Sequence, residues 1–511
     1  MTGFTEPLDR LTPDEKRALV CALLQRRASG EEISPLSQGQ QAMWFMYRVS
    51  PGNPAYNVPI AWRVRSQLDR TAFDGALADL VGRHPMLRTS YLELEGIPFQ
   101  RIGPDSGQVR LEAVDARDLD ETGFGALLTA EAMRPFDLES GPVLRWRLYD
   151  RPDGEQIILL VGHHIAMDAW SVFQCLDELA SLYVARLCGK PPDLPEVEAR
   201  YTDYVRWQAA MLGGAEGTRL AAYWGGRLSG APPDFGLRTD RPRPRVRGYR
   251  GDRCAVECGA ELSSALRGVA DAEGATLFVV LLAGFYALLH RHTGQTDLRV
   301  ATPMAHRDQA SFGQVVGYFA DSVVLRADLS GAPSFRLLVR RVRDAVLEAL
   351  DHQGLPFAAL VDLLRVERDP SRPPLCDISF GMQKSHRARF RRAAAAGPGG
   401  AGGASLFGLR SSGADALVLD LGGLLLEPHP VSHPMSRYDL DLQLHEADGE
   451  IFGALTYDTD LFERSTVERL VGNLRVLLGA AAADPDLPIS RLPMLTQEEQ
   501  RLMLGWGEAN G

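Results

Sequence analysis

Residues 155–188 constrain the fold most, because a strand pattern, a polar turn and a helix pattern follow one another there. Ile157–Val161 is an apolar run rich in β-branched side chains, and Gly162 ends it, which predicts a buried strand. From Trp170 onwards the apolar residues recur at helical spacing, which predicts a helix. A buried strand that leads directly into such a helix is typical of a mixed α/β fold.

The turn between this strand and this helix holds His163 and His164, and Asp168 follows four residues after the second histidine. An imidazole at the end of a buried strand, with a carboxylate in the same turn, can lie in a cleft and act as an acid or a base. A lone histidine at a strand end is more often structural, so the spacing by itself leaves both roles open.

The composition is that of an ordinary globular protein, with 45% hydrophobic and 24% charged residues among 511, enough for two lobes with full cores. A net charge of −11 predicts no basic field directed at nucleic acid or an anionic membrane. The N-terminus lacks the basic-then-apolar order of a signal peptide, and no apolar stretch reaches the ~18 residues of a membrane span. We therefore expect a soluble, cytoplasmic protein with no nucleic-acid or membrane partner.

Motifs for metals and common cofactors are missing from the sequence. The six cysteines are scattered, and Cys254 and Cys258 stand four residues apart with no second pair nearby, which argues against zinc. The sequence contains no P-loop, dinucleotide fingerprint, G-x-S-x-G elbow or HExxH pattern. We expect no metal and no cofactor bound by this chain.

Changes of composition divide the chain into five predicted segments. A helix over residues 11–28 opens the chain, a Pro-rich stretch follows the first lobe at 191–195, and a Gly/Ala-rich segment at 387–413 is predicted to be a mobile loop. The segments are an N-terminal linker helix (1–33), an N-terminal lobe (34–190), an interlobe connection (191–250), a C-terminal lobe (251–490) and a C-terminal linker (491–511).

The turn HHIAMDAWS at 163–171 resembles the HHxxxDG signature of the condensation domains of non-ribosomal peptide synthetases, which are related to chloramphenicol acetyltransferase. Two positions depart from the family pattern, because Ala169 replaces the usual Gly and Asp321 the usual Asn. Ala169 would be strained if its position required a positive φ. Other segments match the family in its order: the S-x-GQ and YN elements of 34–59, RHPMLRT at 83–89, PMAHR at 303–307 and GYFADSVVLR at 317–326.

The resemblance implies an α/β fold of two chloramphenicol-acetyltransferase-like lobes in a V-shaped pseudo-dimer with a central tunnel. It also implies that His164 is catalytic, either as a base or as the group that positions an amine. Asp168 is expected to fix the loop through an ion pair with Arg307, and the amides of Gly162 and Ala169 are candidates for contact with an oxyanion. The supporting residues are His163, Asp168, Ala169, Trp170, Ser171, Gly162, Arg307 and Arg88, and the tunnel candidates are Tyr318, Asp321 and Ser322. The resemblance also implies that Arg88 faces the active-site region.

The activity that the resemblance implies is amide bond formation between a donor acyl or peptidyl thioester and an acceptor aminoacyl thioester. Both substrates would arrive on the 4'-phosphopantetheine arms of carrier proteins, so the expected partners are a donor acyl or peptidyl carrier and an acceptor peptidyl carrier. Adjacent synthetase domains are also expected, and the chain is expected to be a monomer. The opening segment is most similar to domains that follow polyketide modules, which favours an acyl or polyketide donor.

Several alternatives remain open within the same superfamily. Epimerisation domains share HHxxxDG but continue differently after it, and heterocyclisation domains carry aspartates in place of the histidine pair. An acyltransferase with a hydroxyl acceptor would form an ester. A catalytically inactive docking module is a further alternative, although such modules usually lose the second histidine, which is present here as His164.

Overall fold

The structure is a computed structural model. It describes residues 32–104, 109–230, 236–307, 309–367, 369–384, 390–392, 417–447 and 449–502, together with the isolated positions 12, 16, 20 and 26. Of the predicted linker helix at 11–28, Lys16, Val20 and Arg26 are helical, and most of that segment lies outside the described residues.

Four of the described helices of the first half begin at side chains that accept hydrogen bonds from the free N–H groups of the first turn, as N-cap residues do. Asp69 accepts from Ala72 at 2.9 Å, and Asp120 accepts from Gly123 at 2.7 Å. The elements up to residue 228 are β1 (Glu32–Pro35), α1 (Gln38–Val49), β2 (Asn57–Val64), α2 (Arg70–Arg83), β3 (Thr89–Leu94), β4 (Ile97–Ile102), β5 (Leu111–Asp115), α3 (Glu121–Met133), β6 (Leu144–Asp150), β7 (Gln156–His163), α4 (Ala169–Cys188), α5 (Tyr201–Leu212) and α6 (Ala215–Leu228).

The second half again combines helices with strands. Its most apolar helix begins at the N-cap Thr276 and ends at Gly294, whose φ of 73° suits a residue without a Cβ. The elements are β8 (Gly251–Glu257), α7 (Gly259–Ala272), α8 (Leu277–Thr293), β9 (Asp297–Met304), β10 (Asp321–Asp328), α9 (Phe335–Asp351), α10 (Phe357–Leu363), β11 (Ile378–Lys384), β12 (Phe390–Arg392), β13 (Leu417–Leu421), β14 (Leu424–His429), β15 (Leu440–Ala447), β16 (Glu450–Asp458) and α11 (Arg464–Ala483).

The strands of the described ranges form three sheets. A seven-stranded sheet has the order β12-β13-β14-β2-β7-β6-β5, and a six-stranded sheet has the order β10-β9-β11-β15-β16-β8. A small sheet, β1-β4-β3, lies apart from them. In the first sheet β7 pairs on both sides, with β2 and β6, so its apolar run is buried as the sequence predicts.

The predicted interlobe connection at 191–250 is not a simple linker. Tyr201 and Tyr204 on α5 pack in the core of the seven-stranded sheet, whereas Leu220 and Trp224 on α6 pack in the core of the six-stranded sheet. The change from one core to the other falls within α5, because Val205 packs in the first core and Leu212, the last residue of that helix, packs in the second. The Pro-rich stretch was a misleading boundary signal, because apolar side chains continue into both cores beyond it.

Part of the predicted C-terminal lobe at 251–490 belongs to the sheet of the first half. β14 pairs antiparallel with β2, with Leu426 opposite Val64, so β12–β14 extend the sheet of the first half. The correction has a simple cause, since apolar alternation predicts a strand but not which sheet it joins. Phe390–Arg392 forms a strand inside the predicted loop at 387–413, and the rest of that loop lies outside the described residues.

Helix α8 is the centre of the second core. Residues 279–289 are buried without interruption, as the sequence predicts for an apolar helix of a globular domain. No single described helix has the length and apolar character of a membrane span, although α7 and α8 pass that test as a pair bent by 105°.

Two glycines of α6, Gly217 and Gly226, allow a pair of matched substitutions that test the packing of this helix against the end of α5. A Cβ on the buried Gly217 would lie 2.1 Å from the carbonyl oxygen of Leu212, whereas a Cβ on the exposed Gly226 in the same helix would meet nothing within 4 Å. We expect Gly217→Ala to lower the free energy of unfolding by ~1–3 kcal/mol, because the backbone must move. Gly226→Ala should raise it by ~0.5–1 kcal/mol. Urea unfolding measures both, and equal effects at the two positions would contradict the packing.

Candidate active site

A cavity of about 2070 Å³ lies between the two halves and is lined by both. The first half contributes residues of α1, Tyr56 and His164, and the second half contributes α10 and the start of β10. The turn after β7 thus reaches this cavity. This places one of the two predicted histidines at a site where a substrate can bind.

The two histidines have different surroundings. His163 is buried, its Nδ1 accepts a hydrogen bond from the Ile165 N–H at 3.1 Å, and its ring packs edge-on against Phe136. His164 lines the cavity, and its Nδ1 lies 2.8 Å from the carbonyl oxygen of Met167. Because a carbonyl can only accept, Nδ1 of His164 carries the proton. The Nε2 atom of the neutral ring is then left as a proton acceptor.

His164 is held in the neutral form. Burial and, second, the charge of Arg437 lower the pKa of its imidazole to about 4, while the Met167 carbonyl and Asp168 act in the opposite direction. The ring of Tyr318 packs edge-on against it, with the centroids 5.3 Å apart. A neutral, oriented imidazole at a cavity wall can accept a proton from a bound nucleophile.

Asp168 and Ser171 tie this turn to the second half of the chain. Ser171 donates to the carbonyl of Gly317 at 2.8 Å and accepts from the Gly317 N–H at 3.0 Å. The structure also brings together the two residues expected to form an ion pair. The buried Asp168 carboxylate accepts four hydrogen bonds, from Ser171 N at 2.8 Å, Phe319 N at 3.1 Å, Ala320 N at 3.2 Å and Arg307 Nη2 at 3.3 Å.

The other residues of the signature have structural positions. Ala169 is the first residue of α4 and has no positive φ, so alanine is not strained there. Gly162 lies inside β7, where a Cβ would come 2.7 Å from the Met167 sulfur, so glycine allows close packing of the turn. Contact of its amide with an oxyanion stays a prediction. The guanidinium carbon of Arg307 lies over the exposed Trp170, 5.7 Å from the centroid of the tryptophan ring.

The expectation that Arg88 faces the active site is wrong. Its guanidinium donates to the carbonyls of Val81 and Gly82 at 2.7 and 2.9 Å, at the C-terminal end of α2, and to the carbonyl of Gly103 at 3.0 Å. Free carbonyls at a helix end attract a cation, and Arg88 is the residue that satisfies them. It does not line the cavity.

The three tunnel candidates, Tyr318, Asp321 and Ser322, all line the cavity. Asp321 accepts from the Phe357 N–H at 2.9 Å and from the Ser322 N–H at 2.8 Å, so it connects β10 to the first residue of α10. Burial raises the pKa of Asp321 to about 6, although these two N–H groups lower it. The hydroxyls of Ser322 and Tyr438 lie 3.4 Å apart on the same wall.

The opening motif proves to support the site. Gln40 donates to the carbonyl of Ile165 in the histidine turn at 3.2 Å. A Cβ on Gly39 would lie 2.7 Å from the ring of Tyr318, so glycine allows that ring to lie beside α1. The sequence indicates a capped helix here, which the structure confirms, but it does not show that the helix touches the active-site turn.

Arg437 is a cavity residue that the sequence reasoning missed. It precedes β15 and lies over the ring of Tyr56 at 5.9 Å, on the same cavity wall as His164. No motif marks it, and the only signal was an arginine directly before a predicted strand. The described residues contain no group of three or more His, Cys, Asp or Glu side chains that could hold a metal ion.

Two lobes that meet at a cavity, with an oriented neutral histidine in its wall, define the class of acyltransferases related to chloramphenicol acetyltransferase. The family model of the condensation domain matches residues 30–504. The chain belongs to the condensation-domain family, which forms amide bonds in non-ribosomal peptide synthesis, and the predicted α/β fold is confirmed.

Comparison with known proteins agrees with this assignment. The chain is 34% identical over 483 residues to chondramide synthase cmdD of Chondromyces crocatus, an alignment that covers 93% of this chain and 12% of that protein. It is 35% identical over 484 residues to the phosphinothricin tripeptide synthetase PhsC of Streptomyces viridochromogenes, over 94% of this chain and 42% of that protein. The chain spans less than a tenth of the length of the first relatives that it matches.

Two solved structures have the same fold. The X-domain from teicoplanin biosynthesis, solved in complex with OxyB, is 28% identical with a TM-score of 0.78 over 91% of this chain and 97% of that one. The first condensation domain of the calcium-dependent antibiotic synthetase has a TM-score of 0.69 at 19% identity, over 91% of this chain and 99% of that one.

Proposed function

We propose that this chain is an active condensation domain in which His164 assists the attack of an acceptor amine on a donor thioester. The observation that carries the proposal is the geometry of His164, whose Nδ1 is occupied by the Met167 carbonyl while its Nε2 is left for a substrate in the cavity. Aminoacyl and acyl groups on the 4'-phosphopantetheine arms of two carrier proteins are the proposed substrates.

The chemistry follows from the neutral state of His164. The amine nitrogen bonds to the thioester carbonyl carbon, and Nε2 accepts the proton that the amine loses. The C–S bond then breaks, and the leaving sulfur takes the proton from Nε2, so an amide and a thiol are formed and the imidazole is neutral again. Holding both thioesters in one cavity contributes further, because it converts a bimolecular step into a unimolecular one.

The donor is proposed to be an acyl or polyketide chain. This proposal rests on the opening segment of the sequence, which is most similar to domains downstream of polyketide modules. The side of the cavity formed by α1 is built from that segment, with Met43, Phe45 and Met46 among its lining residues. An apolar wall of this kind suits an aliphatic chain.

A second candidate is a docking module without catalysis. The observation that favours it is the similarity to the X-domain, which is solved in complex with OxyB. The site geometry favours catalysis instead, because an oriented His164 in an accessible cavity has no purpose in a surface that only binds a partner.

The deciding experiment loads a donor carrier with an acyl thioester and an acceptor carrier with an aminoacyl thioester, and follows the mass of the acceptor. We expect an amide product that depends on His164. Formation of an ester with a hydroxyl acceptor would show that the acceptor group is a hydroxyl and not an amine. No transfer with any pair, together with tight binding of a tailoring enzyme, would identify a docking module.

A further inference from the structure

Arg437 has no counter-ion in the described part of the chain. Its guanidinium makes no hydrogen bond and no ion pair there, although its side chain is accessible in the cavity. Two other arginines of this region form ion pairs, Arg307 with Asp168 and Arg247 with Asp458. A partly desolvated cation is costly without an anion nearby, so an unpaired one in a substrate cavity indicates an anionic ligand.

The position of Arg437 is close to the reacting end of the cavity. Its guanidinium lies 5.9 Å from the ring of Tyr56, whose carbonyl accepts the N–H of His164 at 2.9 Å. It also acts on His164 and on Tyr318, whose ring packs against that imidazole. The cation and the imidazole therefore face the same space.

The side chain of Arg247 holds the backbone of Arg437 in place. Arg247 is buried, donates Nη1 to the Arg437 carbonyl, and pairs through Nε with Asp458 at 3.3 Å. The charge of Asp441 raises the pKa of Arg437, but this carboxylate accepts its hydrogen bond from Gln443, at 2.7 Å. The guanidinium is thus positioned but not neutralised.

We propose that Arg437 is a further catalytic residue, which binds the donor carbonyl oxygen and stabilises the negative charge that develops on it. When the amine nitrogen bonds to the carbonyl carbon, the C=O electron pair moves to oxygen beside Arg437, and the amine proton moves to Nε2 of His164. When the C–S bond breaks, the oxygen regains its double bond and the sulfur takes the proton. Arg247 is then a positioning residue. This inference rests on the proposed function.

The test replaces Arg437 with Gln and with Lys in the transfer assay described above, using a neutral acyl donor and a neutral aminoacyl acceptor. The matched control is Arg250→Gln, since Arg250 also lines the cavity but is already paired with Asp460, 2.9 Å from its Nε. We expect Arg437→Gln to lower kcat ~10²–10³-fold with little change in KM, as loss of an oxyanion donor does. The control should keep the activity of the unmodified chain.

A pH profile separates this role from a merely structural one. The titratable and charged groups that act on His164 are Arg437, Asp168 and the adjacent His163. Because the charge of Arg437 lowers the pKa of His164, its removal should raise that pKa. The acidic limb of the activity profile should then move to higher pH by ~1 unit in Arg437→Gln, and much less in Arg437→Lys, which keeps the charge. Circular dichroism at each pH checks that the variants stay folded.

Three results would overturn the inference while leaving the proposed function in place. One is an unchanged kcat in Arg437→Gln alongside transfer that still depends on His164. Another is a loss confined to carboxylate-bearing substrates, which would assign Arg437 to recognition of a substrate side chain. If Arg437→Gln does not fold, Arg437→Ala takes its place, and a kcat equal to that of the unmodified chain would exclude a bound oxyanion because alanine keeps neither the charge nor the N–H donors. Absence of transfer by the unmodified chain would instead refute the proposed function.

Discussion

Replacement of His164 by Gln is expected to lower the rate of amide formation by ~10²–10⁴-fold, the range that a general base contributes. The reason is local, because Nε2 of His164 is the proton acceptor that the loop turns towards the cavity. Binding of the two thioesters should be nearly unchanged, so the effect should appear in kcat. Single-turnover transfer between loaded carriers measures it directly.

The control for this substitution must show that replacing a histidine by glutamine does not by itself lower the activity or the stability. His352 lies at the C-terminal end of α9, outside the cavity, and stacks on Tyr223. We expect His352→Gln to transfer at the rate of the unmodified chain, and both variants to unfold in urea within ~1 kcal/mol of it. A His164→Gln variant that retains most of its activity would show that His164 is not the base.

The local part of the site could be predicted because it depends on neighbouring residues. The strand, turn and helix of 155–188 follow from apolar spacing, whereas the separate roles of His163 and His164 follow from the resemblance of this turn to the HHxxxDG signature. Each of these features is decided within a few residues, where side-chain pattern and backbone conformation are closely linked.

The non-local part could not be predicted from pattern. The residues of β14 alternate as any strand does, and nothing in them indicates pairing with β2 more than 350 positions earlier. Arg88 was misplaced for a related reason, since an arginine after a helix can face a cleft or bind the free carbonyls of that helix. The fold decides between such choices through distant contacts.

One carboxylate joins the histidine turn to the second half of the chain. Asp168 begins α4 and at the same time accepts the N–H groups of Phe319 and Ala320 from the second half. A hydrophobic contact would allow the two halves to slide, whereas the three directed hydrogen bonds from Arg307, Phe319 and Ala320 to one carboxylate do not. The position of the histidine turn relative to Tyr318 and Arg437 therefore depends on this residue.

Asp168→Asn is expected to lower the free energy of unfolding by ~3–5 kcal/mol, because it leaves the buried Arg307 cation without a counter-charge. The Asn amide would also face one of the N–H groups that the carboxylate now accepts. Urea unfolding measures the loss. Asp69→Asn is the matched control, since Asp69 is an exposed N-cap whose only side-chain partner among the described residues is the Ala72 N–H, and asparagine caps a helix equally well.

The comparison of the two aspartates distinguishes a structural role from a catalytic one. If Asp168 connects the halves, Asp168→Asn loses activity in proportion to the fraction unfolded, and activity returns where low temperature or a stabilising osmolyte restores the fold. An Asp168→Asn variant as stable as Asp69→Asn, yet inactive, would mean that the carboxylate takes part in the reaction. The geometry favours the first outcome, because Asp168 is buried behind the turn and does not line the cavity, whereas His164 does.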